Sequence, residues 1–140
     1  MHTKTMCMQI LRKSNCNMSV ADFMDKEGCY APSVHTSYYG AFLFVAHVLC
    51  NCLSVDYQKQ KEEFKGKDSH KYLMNCLKND LHSKSVLDEK KFLMKFNALR
   101  KNRRKADYLV DAIDKTFADQ CLKDSTKLRE ELANIYKISV

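Results

Sequence analysis

The chain has 140 residues, the size of one domain, with only three glycines and one proline. A β-sandwich or barrel needs far more turn residues than that, so an all-α fold is expected. The formal charge of +7, from 24 Lys and Arg against 17 Asp and Glu, points either to anionic partners such as RNA, DNA, a nucleotide or an acidic protein, or only to soluble surface lysine.

Residues 5–13 carry Met6, Ile10 and Leu11 and read as a short helix. Residues 1–18 are thus expected to be an N-terminal extension or short helix ahead of the bundle. The polar run 14–17 reads as a break. Ser19 then caps a helix through Val20, Phe23 and Met24 that ends near Gly28. Pro32 opens a long helix, because proline suits a first turn. Val34, Tyr38, Ala41, Phe42, Val45, Val48, Leu49 and Cys52 follow in steps of mostly three and four. Phe44 and Leu43 widen that stripe, so this helix should be buried on most sides. The apolar stretch 39–55 contains Gly40, His47 and Asn51 and falls short of the ~20 residues that span a bilayer. No membrane association is expected.

Residues 57–67 are strongly charged and read as a solvated helix end or loop. Ser69 starts a further helix with Tyr72, Leu73, Cys76 and Leu77 on one side, and Ser83 and Ser85 punctuate it. Ser85 and Asp88 form a loose capping box for the next helix, which holds Leu87, Phe92, Leu93, Phe96 and Leu99. It ends in Arg100, Lys101, Asn102, Arg103, Arg104 and Lys105, where a break around 106–110 is expected. The last helix runs from 114 to 137, with Phe117, Cys121, Leu128, Leu132 and Ile135 near one face. Nothing repeats and no linker divides the chain, so 1–140 read as one domain.

The seven cysteines are odd in number, contain no CxxC and follow no signal peptide. Reduced thiols in a cytoplasmic protein are expected, most of them serving as small core residues. His47 and Cys50 lie three residues apart, but two more ligands for a tetrahedral site are missing. Neither a metal nor a cofactor is expected.

Four stretches together resemble the HEPN superfamily, specifically its small stand-alone prokaryotic members. Gly28, Tyr30 and Ala31, followed by Ser37, Tyr38, Tyr39, Gly40, Ala41 and Phe42, resemble the pattern G-x-Y … A-Y-Y-A-x-F. Ser69 and His70 stand where that group has a hydroxyl–histidine pair. Arg103, Ala106, Asp107 and Tyr108 resemble its R-x-x-A-D-Y signature, and an amphipathic helix closes the chain. The resemblance spans roughly 20–135 and implies an up-and-down bundle of four to five helices.

Adjacent on a helix, Tyr38 and Tyr39 point about 100° apart, so one can enter the core while the other lines a groove. His35 and Tyr39 are four apart and can touch. Should the helix persist to Asp107, Arg103 and Asp107 form an i,i+4 pair that fixes the guanidinium and leaves donors for a phosphate. The competing reading is that these residues only pack. Arg104 and its basic neighbours form an RNA-backbone patch or a solvated helix end. His70 reads as a phosphate contact, a general base or a packed joint residue.

HEPN ribonucleases carry an arginine followed, after four to six residues, by histidine. Here Tyr108 stands after four residues from Arg103, and no histidine follows any arginine at that distance. Tyrosine, with an ordinary pKa of about 10, is a poor base at neutral pH. Three functions therefore stay open. The first is a module binding nucleic acid or nucleotide, working beside a nucleotidyltransferase-type partner in a toxin–antitoxin or defence setting, as the resemblance implies. The second is a metal-independent ribonuclease with a rearranged site. The third is a structural homodimerisation module.

Overall fold

The computed structural model describes residues 2–53, 55, 57–64, 68–84, 89–109 and 112–140. Six helices and no strand occur among them: α1 (His2–Lys26), α2 (Tyr30–Cys52), α3 (Tyr57–Phe64), α4 (Ser69–Ser83), α5 (Glu89–Tyr108) and α6 (Lys115–Tyr136). The helical-bundle expectation holds, with six helices where four to five were expected. The sixth is α3, whose charged stretch gives no apolar stripe to read. No helix of the described residues is long and apolar enough to cross a membrane.

The expected break at 14–17 does not occur. Residues 2–18 belong to one helix of 25 residues, with Cys7, Ile10, Leu11 and Met18 in the core. Its polar residues have partners within or across helices. Ser14 Oγ donates to the Gly40 carbonyl at 2.6 Å, and Asn17 Nδ2 donates to the Lys13 carbonyl at 3.0 Å. A serine that finds an acceptor on a neighbouring helix need not interrupt its own.

Gly28 ends α1 at φ 83°. The Cys29 amide reaches back to the Met24 carbonyl at 2.8 Å, the six-to-one bond of a Schellman turn. That turn folds α2 back antiparallel on α1. Three hydrogen bonds lace the pair. Ser14 to Gly40 is one; Ser33 Oγ donates to the Ala21 carbonyl at 2.8 Å; and His47 Nδ1 meets the Cys7 carbonyl at 2.7 Å. Positions 7, 14 and 21 thus meet 47, 40 and 33, seven residues apart on each helix. Small residues make this approach feasible. A Cβ added at Gly40 would lie 2.4 Å from Met18 Sδ and 3.0 Å from its Cγ.

The remaining faces of α2 take α4, α5 and α6. Phe44, Val45, Val48 and Leu49 meet Leu73, Leu77 and Leu81 of α4, Phe96 and Leu99 of α5, and Leu128 and Leu132 of α6 in one core. Burying such a side chain contributes about 1.5–3 kcal/mol. Asp68 caps α4 by accepting the Lys71 amide at 3.2 Å, and Asp114 caps α6 by accepting that of Phe117 at 2.8 Å. The proposed Ser85–Asp88 capping box lies outside the described residues, as does Val110. Helix α5 runs on to Tyr108, past the start of the expected break.

The thiols depart from expectation. Cys7 and Cys50 form a disulfide with Cα atoms 5.8 Å apart, across the seam that His47 also ties. Of the five free cysteines, Cys121 is buried, Cys76 is half-buried, and Cys16, Cys29 and Cys52 are exposed. The turn between α1 and α2 and the end of α2 bring Cys29 and Cys52 to the surface.

Two joints generate predictions. Gly40→Ala should lower Tm in the native chain, because Met18 must move, and raise it in a Met18→Ala background, where only the helix-propensity gain of about 1 kcal/mol remains. Thermal melts of the four variants measure this. The second joint ties α1 to α6. Lys115 Nζ lies 3.6 Å from Asp25 Oδ2 and 3.3 Å from Asp119 Oδ1. Burial, and then the neighbouring Asp119, raise the pKa of Asp25. Folded Asp25 therefore holds its proton to a higher pH than unfolded Asp25. Its contribution is favourable below the unfolded pKa and is lost as pH rises through the folded one. Asp25→Asn should raise Tm by roughly 2 °C at pH 7, a gain that vanishes near the ordinary carboxylate pKa.

Candidate functional site

The apolar stripe of α5 runs Phe92, Phe96, Leu99 and then Arg103, in steps of four, three and four. Arg103 is therefore a charge placed on a core-facing stripe, and its side chain is only 14% exposed. It meets α2 where Tyr38 and Tyr39 stand. The guanidinium carbon lies 5.3 Å from the Tyr38 ring centre and 5.6 Å from that of Tyr39, within cation–π range. One turn on, Asp107 Oδ2 accepts from Arg103 Nη1 at 3.0 Å. Burial opposes the charge of Arg103 most strongly, but the bond to Asp107 and the electrostatic pull of Tyr39, Tyr38 and Asp107 together outweigh it and raise the pKa above its ordinary value.

Asp107 also binds α2. His35 Nδ1 lies 2.9 Å from both of its carboxylate oxygens. The His35 and Tyr39 rings are 4.8 Å apart, and those of Tyr38 and Tyr39 are 5.0 Å apart, edge to face. One tyrosine enters the core and the other lies at its margin, for Tyr38 is 3% exposed and Tyr39 half-buried.

Tyr38 extends the corner to α4. Its hydroxyl is 2.7 Å from His70 Nδ1, and His70 Nε2 is 2.9 Å from Asn97 Oδ1 on α5. One proton arrangement satisfies both histidine nitrogens. The tyrosine donates to Nδ1, and a neutral imidazole donates from Nε2 to the carboxamide oxygen. Burial, with repulsion from Arg100 and Arg103, lowers the His70 pKa against the pull of Asn97 and Asp68, consistent with that neutral form. Burial and the same tyrosine-rich setting raise Tyr38 well above the ordinary phenol range. Both nitrogens of His70 are occupied, so it holds positions and is not poised to move protons.

Thus His35, Tyr39, Arg103 and Asp107 come together in one corner, with His70 joined to it through Tyr38. Arg104 and Tyr108 do not join them. Both lie on the outer face of α5, with Ala98, Lys101, Asn102, Lys105 and Leu109, around a groove of about 770 Å³. Tyr108 is 73% exposed. Rotation explains the separation, since neighbouring helical positions point about 100° apart.

Compared with known protein families and with curated proteins, the chain matches no family model and no characterised sequence. Function must be argued from these side chains alone.

Sequence reading missed three groups. Asn97 lies in mid-helix, where asparagine is unfavourable, and that cost was its signal. Lys71, Asn75 and Lys78 step by four and three along α4 and border, with His70, Asn97 and Arg100, a cleft of about 250 Å³. Arg100 is tied to Asp68 by Nη2 at 2.5 Å.

Removing the Tyr38 hydroxyl should expose the role of His70. Tyr38→Phe should cost about 1 kcal/mol and, by freeing Nδ1, raise the His70 pKa in an NMR titration. The native protein should also lose stability as pH falls below the ordinary histidine pKa of 6.5. The unfolded state then binds protons that folded His70, and likewise His47, resists until lower pH. Melts from pH 7.5 to 5 read that slope.

Proposed function

We propose that this chain is a HEPN-type helical module that binds single-stranded nucleic acid along the outer face of α5. The observation that carries the reading is Tyr108, exposed beside Lys101, Arg104 and Lys105 around one groove. Cations that follow a backbone, with an aromatic ring on which a base stacks, are what a single strand needs. Among the described residues no carboxylate lines that groove. The family part of the proposal draws support from convergence. Residues of three separate resembling stretches, Tyr38 and Tyr39, His70, and Arg103 and Asp107, meet in one polar chain. On this reading Arg103 shapes the corner, and its neighbours meet the ligand.

The same reading includes a homodimer, a nucleotidyltransferase-type partner, and a toxin–antitoxin or defence setting in the cytoplasm. A reducing cytoplasm would act on the Cys7–Cys50 bridge only slowly, since the two residues are 2% and 3% exposed.

One observation favours a ribonuclease instead. His35 is 45% exposed, and a carboxylate orients its Nδ1. That is how a histidine is held as a general base at Nε2, here with an arginine on the same carboxylate. RNA cleavage in EDTA that His35→Gln abolishes would establish that activity.

Fluorescence anisotropy with a 12-nucleotide RNA tests the binding proposal. Tyr108→Ala should weaken binding about tenfold, from a stacking contribution of about 1–3 kcal/mol. Lys101→Ala with Arg104→Ala should lower the slope of log Kd against log salt by about 1.4. Arg103→Ala should lower Tm and change affinity less than that pair does. Unchanged affinity in Tyr108→Ala would overturn the groove.

A further inference from the structure

The cleft between α4 and α5 lies on the far side of His70 from the tyrosines, and the α5 groove does not include it. Three cations border it: Lys71 and Lys78 from α4, and Arg100 from α5. Among the described residues no carboxylate lines it. Asp68 takes one amino group of Arg100, while the Arg100 Nε is buried without a partner. Met74 and Leu93 supply an apolar wall.

The hydrogen-bond chain sets what the cleft offers. Tyr38 donates to His70 and His70 donates to the Asn97 oxygen. That fixes the carboxamide with its oxygen occupied and its NH2 left to donate. Asn75 stands on the opposite wall. Cations and an oriented amide donor make an anion site.

Size narrows the anion. The cleft holds about 250 Å³, below the roughly 300–1,000 Å³ of common ligand pockets. It admits a phosphate with part of its sugar, but not a strand passing through. A phosphodiester carries one negative charge, whereas a phosphomonoester carries about −1.5 to −2 at pH 7. Two lysines, with an Arg100 shared with Asp68 beside them, match the second better than the first.

We propose that this cleft binds a terminal phosphomonoester, carried either by the end of a nucleic-acid strand or by a free mononucleotide. Asn97 and Arg100 are the helical neighbours of Ala98 and Lys101, which line the outer groove. A strand lying along α5 would bring its end there. That continuity rests on the nucleic-acid reading above; the cleft itself does not.

The test compares one 12-nucleotide RNA with a 5′-phosphate, with a 3′-phosphate, or with hydroxyls at both ends. Adenosine monophosphate and inorganic phosphate are titrated in parallel by calorimetry. One phosphorylated end should bind about tenfold tighter than the hydroxyl form. Lys78→Ala, an exposed substitution, and Asn97→Asp should each erase that preference, while Tyr108→Ala weakens all three strands alike. Mononucleotide binding lost in Lys78→Ala, with no strand binding at all, would keep the cleft and overturn the α5 groove. If neither a phosphorylated end nor either small phosphate gives a response that Lys78→Ala removes, the cleft proposal is overturned.

Discussion

The seam between α1 and α2 is the constraint on which the molecule depends. Helix α2 touches nearly every other element, so its orientation decides where they sit. Small residues at Ser14, Ala21, Ser33, Ser37 and Gly40 let two backbones approach closely. Side chains then donate across the gap to carbonyls already used once within their helices. A carbonyl has two lone pairs, so neither helix loses its own bonds. Arg129 of α6 secures the open side by donating to Asn15 and lying 5.1 Å from the Phe44 ring centre.

With one face of α2 committed to α1, its opposite face presents His35, Tyr38 and Tyr39 to α4 and α5. The stripe of α5 explains why a charge ends up there. Three apolar residues over about two turns fix the helix against α2, and the next position facing inward is Arg103. An arginine there keeps little contact with water, and two rings and one carboxylate stabilise it. Asp107 serves both Arg103 and His35 and thereby ties the end of α5 to the start of α2. Asp107 and the two tyrosine rings pin the Arg103 guanidinium, although its Nε is buried without a hydrogen-bond partner. The same helix turns Tyr108 and its cations to the outer face.

Much of this was legible in the chain itself. Scarce glycine and proline pointed to helices, and the i,i+4 spacing of Arg103 with Asp107 and of His35 with Tyr39 anticipated real contacts. The Gly28 stop was a local signal, and it survives in the fold. What failed was long-range. Ser14 resembles a helix breaker until Gly40 is set against it. Cys7 and Cys50, 43 residues apart, give no hint of pairing in a count of seven cysteines. Arg104 and Tyr108 were grouped with Arg103 by sequence proximity, yet helical rotation turns them to another face. The cleft at His70 needed two helices, with His70 and Asn97 27 residues apart in sequence, each contributing part of its wall.

The seven-residue step of the three seam bonds also limits how this hairpin could change length. One residue inserted in α1 between Cys7 and Ser14 would rotate everything before it by about 100°. Cys7 would leave both His47 and Cys50 at a stroke. A matched insertion of seven in each helix misses whole turns by only about 20°, so the contacts would recur. Descendants of this fold can lengthen the seam in heptads, while other variation in length falls to the connections between helices.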